Sequence, residues 1–145
     1  MLDLIGVGVV AAVAPAVPAG RVQPATADDI TGAEKILCTT VEATECYAEV
    51  GCNPGSPEDW NIPRFVEVDF GNQLLSTTEA SGERRSSSMK HLERDGDRIF
   101  IQGVEASRAY SIVIDQDSGT ASTALALERH VVAAFAYCTP LQSTD

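Results

Sequence analysis

The chain has 145 residues, 44% of them apolar and 21% charged, with 21 acidic side chains against 10 basic ones and a formal net charge of −11. That length fits one modest domain, because two separately cored halves would each fall near the size at which a core alone seldom suffices. The acidic balance argues against sequence-independent binding of nucleic acid, which needs clustered Lys and Arg to release counterions, and the aliphatic content separates the chain from disordered sequences.

The first predicted element is an apolar stretch through Leu2, Leu4, Ile5, Val7, Val9, Val10 and Val13, followed by Pro15-Ala16-Val17-Pro18-Ala19. It resembles a secretory signal peptide over 1–19, with small residues placed for cleavage after Ala16 or Ala19. No Lys or Arg precedes Arg21, and Asp3 stands where positive charge is usual; a buried N-terminal helix or strand is the competing expectation. Residues 20–33 lack periodicity and are expected to be a flexible lead-in, 34–139 a single β domain and 140–145 a tail. No run of about 18 apolar residues follows position 20, so no transmembrane helix is expected in the mature chain.

Cys38, Cys46, Cys52 and Cys138 follow this export-like segment in even number, which favours disulfides. They lack the close C-x2-C pairs of a structural zinc site and form no C-x-x-C redox motif. Three connectivities are open. The expected one is Cys46–Cys52, clamping a short turn, with Cys38–Cys138, joining the first strand to the last.

Short segments of alternating polarity dominate the remainder, and none shows a helical period over three turns. A first strand is predicted near 35–42, then an irregular loop over 51–63, where Pro54, Pro57 and Pro63 oppose regular pairing. Trp60, the only tryptophan, is expected to plug one end of a barrel or to cover a ligand. Further strands are predicted over 64–70, 73–79, 84–94, 97–104, 109–115, 120–127 and 130–138. They are punctuated by Gly71-Asn72, Asp95-Gly96 and Asp117-Ser118-Gly119, and Asp-Gly is a strong hairpin signal. About eight short strands in a local meander predict an all-β antiparallel fold closing into a small barrel, with a two-sheet sandwich as alternative. The inward set is expected to be Val66, Val68, Phe70, Ile99, Ile101, Tyr110, Ile112, Ile114, Leu125 and Leu127. Its large residues favour a filled interior.

Candidate chemistry is sparse. His91 and His130 have no cysteine or carboxylate arranged around them at a ligand spacing. Ser86, Ser87 and Ser88 lack the strained turn of a hydrolase nucleophile. Asp115-Gln116-Asp117 hints at a calcium loop, but Ala126 stands where the bidentate glutamate belongs, and a plain turn is expected. Catalytic residues, metal ligands and cofactors are therefore not assigned. Arg84, Arg85, Lys90, Arg94 and Arg98 gather half of the basic residues within 15 positions. Alternation places Arg84, Lys90 and Arg94 on one face, either a solvated strand face or a site for an anion or acidic lipid.

Glu45-Cys46 with Cys52, Asn61-Ile62-Pro63-Arg64-Phe65, Val68-Asp69, Gln102-Gly103-Val104-Glu105, Arg108-Ala109-Tyr110-Ser111, Ile114-Asp115, Gly119 and Cys138-Thr139 together resemble small, exported, disulfide-containing β proteins of Gram-negative bacteria, a group of uncharacterised function. The resemblance implies export, a compact β domain that looks loosely like a miniature lipocalin, and no known catalytic residues. The chain departs from it where a turn usually written Asn-Gly is Ala106-Ser107, and where Phe-Gly-Ala-Cys becomes Phe135-Ala136-Tyr137-Cys138. Neither Ala nor Ser favours positive φ, so a different turn type is expected at 106–107.

The expected function is a periplasmic or secreted, non-catalytic β-barrel binding module for a small apolar or amphipathic ligand or a protein partner. The alternative is a structural or interaction protein of the envelope with a solid core. Trp60, Arg84, Lys90, Arg94 and Tyr110 are the candidate ligand-binding residues.

Overall fold

The computed structural model describes residues 27–82 and 84–142. The expected signal peptide, the start of the lead-in and the last tail residues lie outside the described residues. Ten strands follow in order: β1 (Lys35–Tyr47), β2 (Gly51–Gly55), β3 (Phe65–Asp69), β4 (Leu74–Thr77), β5 (Ser86–Ser88), β6 (His91–Asp95), β7 (Arg98–Glu105), β8 (Arg108–Asp115), β9 (Thr120–Ala126) and β10 (His130–Pro140). Single 3-10 turns at Pro57–Trp60 and Glu79–Ser81 interrupt them.

All pairings are antiparallel, in the order β5-β4-β3-β1-β10-β9-β8-β7-β6, with β2 added to β1. The sheet curls into a small half-barrel whose two end strands are consecutive in the chain. Met89 N–H donates to the carbonyl of Gln73, just before β4, and the next amide, Lys90 N–H, donates to Gln102 of β7, both at 2.8 Å. Two adjacent residues thus tie both ends of the sheet, which leaves few backbone groups at an open edge. The expected all-β small barrel is found.

Three details differ from the sequence expectations. The segment 84–94 is two strands rather than one, because the chain passes from β4 to β7 at Met89-Lys90. Gly51–Gly55, expected to be irregular, pairs with β1 in register Cys46↔Cys52 and Thr44↔Pro54. Pro54 is tolerated because β2 pairs on one side only and needs no donor on the other. Residues 28–33 are tied down rather than loose: Asp28 N–H donates to Cys138 O at 3.1 Å, Ile30 N–H to Gln116 O at 2.9 Å, and the Ile30 side chain is 2% exposed.

Inward positions alternate along each strand, as a period of two requires. Val68, Phe70, Ile99, Ile101, Tyr110, Ile114 and Leu125 of the expected inward set are buried, and Val66, Ile112 and Leu127 pack half-buried against them. The set lacked Ile30, Ile36 and Val132, and it lacked the small residues Ala121, Ala134 and Ala136, all buried. Both expected disulfides are present. Cys38 and Cys138 face each other across β1 and β10, and Cys46 and Cys52 across β1 and β2. The link between Cys38 and Cys138 spans 100 residues of sequence, so it restricts the unfolded chain far more than the short clamp does.

At 106–107 the expectation fails. Ala106 has φ 51° and Ser107 φ 62°, and with Glu105 paired to Arg108 this is a two-residue turn of the I′ kind. The hairpin imposes the hand of that turn, since only a primed turn matches the right-handed strand twist. Two L-residues accept positive φ there at a cost of about 1–2 kcal/mol each.

Candidate functional site

β8 begins with Arg108 and places Arg108, Tyr110, Ile112 and Ile114 on its inward side. β7 ends with Glu105, in the same inward parity as Ile99 and Ile101. The tight turn between them therefore brings Glu105 against Arg108, with Arg108 Nη2 3.3 Å from Glu105 Oε2. From the far end of the sheet, Arg85 approaches the other carboxylate oxygen, Nη1 to Oε1 at 3.3 Å. One carboxylate is held between two guanidinium groups.

The loop after β2 supplies further acceptors. Asn61 ends the 3-10 turn with φ 55°. Its carbonyl accepts from Arg108 Nη2 at 2.6 Å and from Arg85 Nη2 at 3.0 Å, and the carbonyl of Trp60 accepts from Arg108 Nη1 at 2.6 Å. These bonds pin the loop across the barrel end. They also bury a charge that would otherwise be costly, since a buried ion needs partners. The Arg108 side chain is only 6% exposed, whereas those of Arg85 and Glu105 are near 22%.

Behind the cluster lies a cavity of about 130 Å³, lined mainly by apolar side chains including Val66, Val68, Leu75, Ile112, Ile114 and Leu125. Its existence traces to Ala121, Ala134 and Ala136, which also line it. Small residues at inward positions of β9 and β10 leave volume that the larger side chains opposite do not fill. The expected filled interior is thus corrected. The polar lining includes the Arg85–Glu105–Arg108 cluster together with hydroxyl side chains, among them Thr40, Ser87 and Tyr110. Tyr110 lies over Gly103, its cross-strand partner, where a Cβ would collide with the phenol hydroxyl. That absence of a side chain lets the ring lie flat on the sheet, with its hydroxyl 3.2 Å from Ser87 Oγ.

No protein-family model, curated protein or solved structure matches this chain.

Of the residues expected to bind ligand, Tyr110 lines the cavity. Trp60 contributes its backbone carbonyl to Arg108, while its ring packs on the loop, where a Cβ at Gly55 would lie 2.6 Å from it; it acts as a cover for the barrel end. Arg84, Lys90 and Arg94 do not converge. Arg84 is 86% exposed and pairs with Glu79 at 2.8 Å, Lys90 is exposed, and Arg94 stacks on Phe70, 4.9 Å from the ring centroid. The alternation used to group them assumed one continuous strand. Arg85, on the face opposite to that grouping, is the residue that reaches the cavity.

The histidines acquire carboxylate partners that sequence spacing did not suggest. His91 Nε2 lies 3.0 Å from Glu93 Oε2, and His130 Nε2 lies 3.3 Å from Glu45 Oε2 while its ring stacks on Tyr47. Among the described residues no group of three or more His, Cys, Asp or Glu could hold a metal ion. Asp115 is occupied by its own turn, Oδ1 accepting from Ser118 N–H at 3.0 Å and Oγ at 3.1 Å. These bonds hold its carboxyl below the usual range.

Beside the cavity end, Arg64 forks onto Glu58, with Nε and Nη2 each 2.9 Å from a carboxylate oxygen, and donates from Nη1 to Thr40 O at 3.0 Å. The Ser56 hydroxyl also donates to Glu58. Hydrogen bonds from Ser56 and then Arg64 lower the Glu58 carboxyl to about 2.

Proposed function

We propose that this protein is an exported, non-catalytic binding module that holds a small apolar or amphipathic molecule in its barrel. The observation that carries the reading is the 130 Å³ cavity, lined mainly by apolar side chains and bordered by the Arg85–Glu105–Arg108 cluster. Pockets for drug-sized ligands run from about 300 Å³ upward, whereas an engineered apolar cavity of about 150 Å³ takes up benzene. The occupant is accordingly of the size of a single ring or a short branched chain.

Two disulfides, with no free cysteine among the described residues, are compatible with an oxidising compartment. Among those residues no helix is long and apolar enough to cross a membrane. Placement in the periplasm or outside the cell is part of the proposal, supported by the export-like residues 1–19 and by the resemblance to small exported β proteins.

The test is thermal unfolding of the disulfide-intact chain with increasing benzene. A midpoint that climbs with ligand concentration is expected, by the mass action of binding to the folded state. The variant Ala134→Leu, which fills the cavity, should fold and lose the shift. An unchanged midpoint in the parent protein would overturn the reading.

A second reading, as an interaction protein, has its own observation. The outward strand positions 100–104, 109–113, 120–126 and 131–137 of β7 to β10, with Val104, Ala109, Val113, Ala124, Val131 and Phe135, carry no charged residue, in a protein of net charge −11. Phe135→Lys should then weaken capture of a partner without moving the benzene response.

A further inference from the structure

We propose that the uncharged outer face of β7 to β10 pairs with the same face of a second copy of this chain, giving a reversible two-fold dimer. The proposal rests on the reading of that face as an interaction surface and commits its occupant.

Strand register builds the face. Cross-strand partners carry one row from Val131 through Ala126 and Ala109 to Val104, and another from Phe135 through Ser122 and Val113 to Phe100. The bulkier side chains thus stand on the flanking strands β10 and β7, while β9 and β8 between them carry mostly alanine and serine. Strand spacing sets the two flanks about 14 Å apart. Val104 is 60% exposed, Val131 49% and Phe135 46%, so the ridges are open to a partner.

Shape favours a second copy over an unrelated protein. A ridge on β10 beside a trough over β9 and β8 complements itself. Rotation about an axis that runs along the strands in the contact plane seats the ridge of each copy in the trough of the other, which is the isologous contact of a two-fold dimer.

Charge selects the same occupant. With a formal charge of −11, two copies repel wherever their acidic surfaces meet, and this face is a field where they approach without opposing carboxylates. A basic partner would find nothing here to pair with. Anionic lipid is disfavoured as well, since adsorption to it draws on Lys and Arg and these outward positions hold neither.

Area sets the strength. Four strands of about seven residues present roughly 450 Å² on each copy, so a pair buries on the order of 1,000 Å², the lower end for a specific interface. A dimer that exchanges with monomer at micromolar concentrations follows.

The experiment is sedimentation equilibrium of the full, disulfide-intact chain at neutral pH, from about 1 µM to about 1 mM. The average mass is expected to rise from that of one 15.3 kDa chain toward twice that value. Ala124→Glu, which sets like charges against each other in the trough, should weaken the dimer at least about tenfold. Phe135→Ser, which removes the ridge, serves if that variant does not fold. Val50→Lys, at an exposed residue in the turn between β1 and β2, should leave association within about twofold. Raising the salt from about 10 mM to about 150 mM shortens the screening length from about 30 Å to about 8 Å and should tighten the dimer at least about threefold. A monomer at every concentration would overturn the second copy as occupant, as would a monomer that binds neutral phosphatidylcholine vesicles; the interaction reading would then stand or fall on the Phe135→Lys capture measurement. Association that Ala124→Glu and Phe135→Ser leave unchanged would place the contact elsewhere and overturn the proposal.

Discussion

The two ends of the barrel are built on opposite principles. At one end Ile30 inserts from the segment before β1, held by backbone bonds to Cys138 and Gln116, and seals the interior beside Ile36 and Ile114. Acidic side chains crowd its rim. Asp97 above all, then partial burial, then Asp115 and Asp29, push the Asp117 carboxyl above its ordinary value. At the other end the inward residues are arginines and a glutamate, the cover is a proline-rich loop, and volume is left empty behind it. Apolar burial closes the first end, and a bonded charge cluster borders the cavity at the second.

The two disulfides offer the largest test of that contrast. Replacing Cys38 and Cys138 together by Ala should lower the unfolding free energy by about 4–5 kcal/mol, against about 2 kcal/mol for Cys46 and Cys52, as the chain-entropy model gives for loops of such different length. Urea denaturation midpoints measure both; equal losses would show that the long link does not set the barrel. Next in size, Ile30→Ala should cost about 3 kcal/mol through loss of a fully buried side chain, while Ala134→Leu, which adds atoms beside the cavity, should change stability by less than about 1.5 kcal/mol. A loss below about 1 kcal/mol for Ile30→Ala would mean that the first end is not sealed by it.

A smaller effect is expected where the backbone is strained. Changing Ala106 to Asn and Ser107 to Gly keeps the primed turn and relieves the positive-φ cost, raising stability by about 1–2 kcal/mol. A loss on thermal unfolding would contradict the turn geometry.

The pH response should be smallest, and it has opposite signs at the two ends. Glu58 has a folded value near 2 against 4.5 unperturbed, so its contribution is complete above about pH 4.5 and disappears as the pH falls toward 2. Asp117 has a raised folded value, so its ionisation weakens the fold as pH rises past its unperturbed 3.8. Glu58→Gln should therefore flatten the acid loss of stability, and Asp117→Asn should remove a small gain, both read from denaturant midpoints across pH 2 to 6.

Much of the fold could be read from residues alone because a strand writes its two faces directly into alternation. Val66, Val68 and Phe70, or Tyr110, Ile112 and Ile114, declare the inward side without reference to any partner. The same parity marks the site: Arg108 stands two residues before Tyr110, and Glu105 is in phase with Ile101. A charged residue at an inward position is the informative exception. Arg85 could not be found in this way, because the break at Met89-Lys90 depends on where β4 and β7 lie in space.

An all-β chain, its main turns and its candidate cross-links are legible in the residues alone, since backbone preference, alternation and cysteine parity are local or countable properties. The folded chain adds that β2 pairs despite its proline, that Ala106-Ser107 adopts a primed turn, that Ile30 belongs to the core and that Arg85, Glu105 and Arg108 meet beside a cavity. Each of these depends on how distant strands curve toward one another. Volume and charge pairing arise from that curvature, and neither is a property of any single stretch of chain.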